Sequence, residues 1–420
     1  MTRARLAAST ILLGFASLLP PHSLDAREST GTPAARAFFS QGEAATKARK
    51  YGEAAAAFRK AIEADPDFVD AHQRFIETTR RDADPGSRTP NVPPLQKLYE
   101  RWAKQYPKRA VYRWALGFLS HDAAKADVFF KEALTLDLKF ARAHVLLARN
   151  ADLRGDWAAQ REHLKAAVEC DPQNPQYLVK YAQAYKDSDP KRFRELASSV
   201  VEKFPESPAA ADALSSLAYA SSNPERRALF DRLRSQYPGD RFSSSSSAMY
   251  TLYGELTAPS EALSLAKDMA KWQPANKIWV QRIAHQEAMV RAEALVAERR
   301  FAEALDIIDK TERPSGAHGT TWVLLKAEAR AGAGQLDQAY ATLLESVAAT
   351  PDDRMQAALA KYGARLNKAA DEIDADVWRV RDAKAVPAAP FQLESSKGGN
   401  PVQLSDYRGR VVLLAFWFPG

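Results

Sequence analysis

"ARAFFSQGEAATKARKYGEAAAAFRKAIEADP", residues 35–66, holds two helical patterns separated by a turn. Phe38, Gly42 and Ala45 recur at spacings of four and three, which puts them on one face of a helix over 35–49. Lys50-Tyr51-Gly52 makes a turn, and Ala54, Phe58 and Ala61 then form one stripe of a second helix. Gly42, Ala54 and Ala61 are small enough to let two backbones approach closely, and Phe58 fills the groove between them. Pro66, with no N–H to donate, ends the second helix. The stretch predicts a helical hairpin.

The same grammar recurs along the chain. "ARAHVLLARNADLRGDWAAQREHLKAAVECDP" repeats it with Ala148, Gly155, Trp157, Leu164, Ala167 and Pro172; "TWVLLKAEARAGAGQLDQAYATLLESVAATP" does so with Ala327, Gly334, Leu336, Ala339, Leu343 and Pro351. Prolines that end such units stand at 66, 107, 172, 205, 238, 274 and 351, with Leu138 in the equivalent place. Their spacing centres on the roughly 34-residue period of tetratricopeptide repeats. Over 35–351 the chain resembles the tetratricopeptide-repeat family, and that resemblance implies a mainly α chain, an α-solenoid of helix-turn-helix repeats. It also implies that a protein or peptide client is held on the concave face lined by the first helix of each pair. Asp82–Pro94 and the Ser243–Ser247 run break the period and are expected to be loops. Leu359, Tyr362, Leu366, Ile373 and Val377 predict one capping helix over 353–381 to cover the last apolar face. An extended Ala/Pro linker follows over 382–390.

The composition, 46% hydrophobic and 26% charged, excludes a chain that is disordered throughout. At the N-terminus, Arg3 and Arg5 precede an apolar run Leu6–Leu19, then Pro20-Pro21 and Ala26. This is the pattern of a secretory signal peptide over 1–26, and the expected location is exported, periplasmic or secreted. As a helix the apolar run rises only about 21 Å against roughly 30 Å of hydrocarbon, so a membrane partner is expected only if the segment stays uncleaved. The net charge of +7 is spread among acidic residues with no long basic block, which argues against nucleic acid as a partner. A single cysteine, Cys170, excludes an internal disulfide.

The end of the chain reads differently: "FQLESSKGGNPVQLSDYRGRVVLLAFWFPG", residues 391–420. Phe391 and Leu393 predict a short strand, Lys397–Asn400 a turn, Val402 and Leu404 a second strand, and the apolar run from Val411 a buried central strand. Pro390, Phe391, Leu393, Leu404, Ser405, Asp406, Tyr407, Gly409, Val411–Leu414, Phe416 and Trp417 together resemble the start of extracytoplasmic thioredoxin-like proteins, the TlpA/ResA and AhpC/TSA redoxin group. The resemblance implies an incomplete α/β thioredoxin-like fragment, with Phe416, Trp417, Phe418, Pro419 and Gly420 leading into a Cys-x-x-Cys at a helix N-terminus, where the dipole favours a thiolate. No cysteine follows Cys170, so the chain as written has no catalytic residues for redox chemistry. A truncated or frame-shifted reading, a degenerate fusion, and a UGA selenocysteine codon read as a stop are the three expected explanations. Two functions are therefore expected: a thiol-disulfide oxidoreductase once the missing part is restored, or a non-catalytic interaction scaffold of the cell envelope.

Other constellations are weaker. His144, His163 and Cys170 fall in one hairpin, but His163 and Cys170 are separated by about 10.5 Å along one helix and cannot share an ion whose ligands lie about 2.0–2.3 Å away; no metal and no cofactor is expected. Cys170 reads as a small hydrophobe at a helix end. Trp102, Trp114, Trp157, Trp272, Trp279 and Trp322 read mostly as core. "ARAGAGQLDQ" lacks the Gly-Lys-Ser/Thr of a phosphate loop and reads as a repeat turn.

Overall fold

The computed structural model describes residues 31–84, 86, 92–394, 398, 401–410 and 412–415. The expected signal segment over 1–26 and the motif residues Phe416–Gly420 lie outside them. Twenty α-helices follow one another among the described residues: α1 (Pro33–Lys47), α2 (Tyr51–Ala64), α3 (Val69–Ala83), α4 (Pro93–Gln105), α5 (Ala110–Leu119), α6 (Ala123–Leu136), α7 (Ala141–Leu153), α8 (Trp157–Cys170), α9 (Pro175–Gln183), α10 (Pro190–Lys203), α11 (Pro208–Ala220), α12 (Glu225–Gln236), α13 (Ser243–Glu255), α14 (Pro259–Trp272), α15 (Ile278–Ala297), α16 (Phe301–Lys310), α17 (Gly316–Gly332), α18 (Leu336–Ala349), α19 (Asp353–Arg365) and α20 (Ala370–Lys384). The described residues fall into two compact units, the first running to Tyr253 and including Lys267–Trp279, the second made of Gly254–Ala266 and the chain from Val280 onward.

The hairpin is visible in the backbone. In five turns between an odd-numbered helix and the next, one residue adopts a left-handed conformation: Arg49 (φ 60°), Gly155 (73°), Arg299 (60°), Gly334 (81°) and Asn367 (58°). The residue after it donates its N–H to the carbonyl five positions back, Lys50 to Ala45 at 2.9 Å, Asp156 to Ala151 at 2.9 Å, Arg300 to Leu295 at 2.8 Å, Gln335 to Arg330 at 2.9 Å and Lys368 to Gly363 at 3.0 Å. These are helix C-caps of one type, which satisfy carbonyls that the ending helix leaves without partners. Even-numbered helices end at the proline-marked turns, as where Phe68 donates to Asp65 and Asn174 to Asp171. The next helix is started by a side chain or a proline: Asn174 and Ser207 accept from Gln176 and Ala210, ahead of Pro175 and Pro208.

Packing follows the small residues. Gly42 of α1 is buried against Phe58 of α2, and a Cβ added there would lie 2.6 Å from the ring. Ala54, Phe58 and Ala61 are all fully buried, and the core they begin runs through Tyr99, Trp114 and Phe130 to Leu147. In the second unit Met289, Leu295, Ala304 and Ile308 form one cluster, and Val323, Leu343, Met355, Leu359 and Tyr362 another.

Four expectations are corrected. Residues 353–381 are not one capping helix: α19 and α20 are a further hairpin, closed by the same left-handed turn at Asn367, with Gly363 accommodating Ile373. The linker accordingly begins after Lys384. The Ser243–Ser247 run is the start of α13, not a loop; Ser245 and Ser246 are buried, and Ser246 Oγ donates to the Gly239 carbonyl at 2.8 Å. Close packing there favours small side chains and overrides their weak helix preference. No α/β fragment forms among the described residues. In the tail β1 (Gln392–Leu393) pairs antiparallel with β2 (Val402–Gln403), Leu393 opposite Val402. Residues 412–415, expected in a buried strand, have no regular structure, and Leu413 is 92% exposed. A central strand needs neighbours on both edges, and the described residues offer 412–415 none.

Candidate protein-binding face

The odd-numbered helices of the first unit carry a polar stripe that the apolar pattern conceals. Gln176, Lys180 and Gln183 of α9 stand at i, i+4 and i+7, and so do Asp212, Ser216 and Tyr219 of α11. Ser244 and Thr251 of α13 are seven apart, as are Arg142 and Arg149 of α7. Hydrogen bonds join the stripe from helix to helix: Gln183 donates to Ser216 at 2.9 Å, and the hydroxyls of Tyr219 and Thr251 lie 3.0 Å apart. Asp212 accepts from Ser244 and Gln176. At the other end, Arg142 pairs with Asp70 and donates to Gln73 at 3.1 Å, so α7 is tied to α3. Further along, Arg74 of α3 forks onto Glu43 of α1 while its guanidinium stacks 5.7 Å from the Phe58 ring.

Lys180 and Asp212 set the electrostatics. Lys180 is exposed to solvent, yet the protein around it holds its ammonium below the usual lysine value through desolvation, with Asp212 opposing that shift and Arg149 adding to it. Desolvation likewise pushes the Asp212 carboxyl up, against the pull of Ser244, Gln176 and Lys180.

The second unit has a cavity of about 340 Å³ between α17 and α18, lined by Arg313, Trp322, Lys326, Arg330, Thr342 and Glu345 among others. Its cations already have partners: Lys326 Nζ is 2.6 Å from Asp309, Arg330 bonds the Thr342 hydroxyl, and Arg313 donates to Ser346 at 3.3 Å. It is therefore the weaker of the two candidates.

Of the tryptophans expected in the core, Trp114 and Trp279 are buried, Trp102, Trp272 and Trp322 are half-buried, and Trp157 is 62% exposed at the start of α8. Trp157 takes the outer side of the first turn, so the repeat position does not guarantee burial. The segment Gly332–Gln335 is a repeat turn, as its sequence implied. Cys170 closes α8, its thiol 3.8 Å from the Leu138 carbonyl and pushed up in pKa by burial, which disfavours a reactive thiolate. His144 and His163, on α7 and α8, come together, with their Nδ1 atoms 3.2 Å apart. No group of three or more metal-ligating side chains occurs among the described residues, and none of their helices is long and apolar enough to cross a membrane.

No family model matches the chain, and no curated protein matches it. Solved structures do. A thermophilic TPR protein of Thermus thermophilus aligns at 16% identity and a TM-score of 0.34, over 44% of this chain and 99% of that one. PilF of Pseudomonas aeruginosa aligns at 17% and 0.35, over 52% and 97%. YrrB, described as a TPR protein with an unusual peptide-binding site, aligns at 16% and 0.30, over 44% and 97%. The repeat is carried by the turns and packing of this chain itself.

Proposed function

We propose that this chain is a non-catalytic protein-binding scaffold, with an extended peptide or a helix of a partner lying along the stripe of α7, α9, α11 and α13. The observation that carries this reading is the set of hydrogen bonds that joins α9, α11 and α13, Gln183 to Ser216 and Tyr219 to Thr251, with Lys180 exposed on the same stripe. Such a site rewards a ligand that brings a carboxylate to Lys180 and Arg149 and backbone amides to Asp212. Selection of peptides from a random displayed library on the purified protein tests it. Selected peptides should lose roughly tenfold or more in affinity on Lys180→Glu, and be unaffected by Lys165→Glu on the exposed side of α8. Peptides that bind both variants alike would refute it.

A finer reading is supported by the residues Pro390–Trp417 and Met1–Ala26: an exported array that recruits a client for thiol-disulfide exchange carried out by a thioredoxin-like domain. Its test is the gene sequence following the Gly420 codon. An in-frame Cys-x-x-Cys, directly or beyond a UGA, supports it; no thioredoxin-like sequence in any frame refutes it.

A further inference from the structure

His144 and His163 bring two potential metal-ligating nitrogens together. Unlike His163 and Cys170, which stand along one helix, they face each other across the α7–α8 hairpin. Their Nδ1 atoms are 3.2 Å apart, and the rings, with centroids 5.5 Å apart, are tilted by 38°. Two nitrogens that each lie about 2.0–2.1 Å from one tetrahedral ion are separated by about 3.3–3.4 Å. The observed separation therefore matches two ligands of a single ion, reached by tipping the rings without moving either helix.

We propose that His144 and His163 form a two-imidazole site for a divalent transition-metal ion of the zinc, nickel and copper class. Imidazole suits these ions, and a pair of protein ligands leaves the remaining positions to water. Both residues are half-buried, so the site opens to solvent on one side.

The neighbours are consistent with such a site. Burial lowers both imidazole pKa values, and the proximity of His163 lowers that of His144 further. Around His163, Asp127 and Glu162 oppose that shift while Lys131 and Arg154 add to it. Neutral rings are what a metal needs, since protons compete for the same lone pairs. Asp127, one of the carboxylates that act on His163, is committed to Asn150 at 2.6 Å and Arg154 at 2.8 Å, so it acts from outside the ligand set. With two protein ligands and water, the ion is exchangeable, unlike a closed four-ligand structural zinc.

Calorimetric titration of the tag-free full chain with nickel or zinc chloride at pH 7.5 tests the site. The expected result is about one ion per chain, with affinity reduced roughly tenfold or more in His144→Gln and again in His163→Gln. Copper(II) bound to the unaltered chain should show an electron paramagnetic resonance signal with two coordinated nitrogens, a readout that does not depend on how the variants fold. Absence of binding to the unaltered chain, equal affinity in folded variants, or a copper signal with no nitrogen coordination would overturn the proposal and leave the pair as a hydrogen bond between two neutral rings.

Discussion

The hairpins and the tail contain similar residues and use them differently. In α1–α2, Phe58 is fully buried because Gly42 opposite and Ala54 and Ala61 beside it make room for its ring. In the tail, the apolar run from Val412 to Leu414 is exposed, and the strands before it are two residues long. Burial depends less on the hydrophobicity of a stretch than on a partner surface of matching shape. The repeat supplies such a surface every two helices, and the described tail supplies none.

The largest way to break this contrast is to empty a hairpin. Phe58→Ala should cost about 3–5 kcal/mol in chemical denaturation of the first unit, because α1 cannot collapse into the space; a cost below about 1 kcal/mol would mean that the hairpin core is loosely packed. Acid acts on the same unit through His72. Its Nε2–H donates to the Pro66 carbonyl and its Nδ1 accepts from the Tyr99 hydroxyl, both at 2.9 Å, and burial lowers its pKa to about 4. The unfolded chain binds that proton near pH 6.5, so the neutral ring contributes stability that is complete above that pH and falls by about 3 kcal/mol as the pH drops towards 4. His72→Gln should flatten that slope in urea titrations across the same window.

A subtler change is Gly42→Ala. The added Cβ gains helix preference but lies 2.6 Å from the Phe58 ring, for a net cost of about 1–3 kcal/mol measured by thermal unfolding. The smallest effect sharpens the contrast from the other side: deleting everything after Lys384 should alter the stability of the helical units by less than about 0.5 kcal/mol.

How far the sequence discloses this follows from the same physics. Gly42, Phe58 and Pro66 announce a hairpin because their sizes and missing groups act locally. The left-handed turns at Arg49, Arg299 and Asn367 are less legible than those at Gly155 and Gly334, since arginine takes that conformation only when the turn imposes it. The stripe from Gln176 to Thr251 looks like ordinary solvated surface until neighbouring helices align it. His144 and His163 become partners only through the register between α7 and α8. The apolar run of the tail reads as a strand in sequence, whereas a strand also depends on what lies beside it.

Partners are proposed to bind the odd-numbered helices of the first unit. Amide hydrogen exchange of the full chain, with and without a saturating library-selected peptide, tests it most directly. Added protection is expected in α9 and α11 and none in α8 or α10, with rapid exchange over 385–394 in both states. Protection gained instead on the even-numbered helices or in the tail would contradict it.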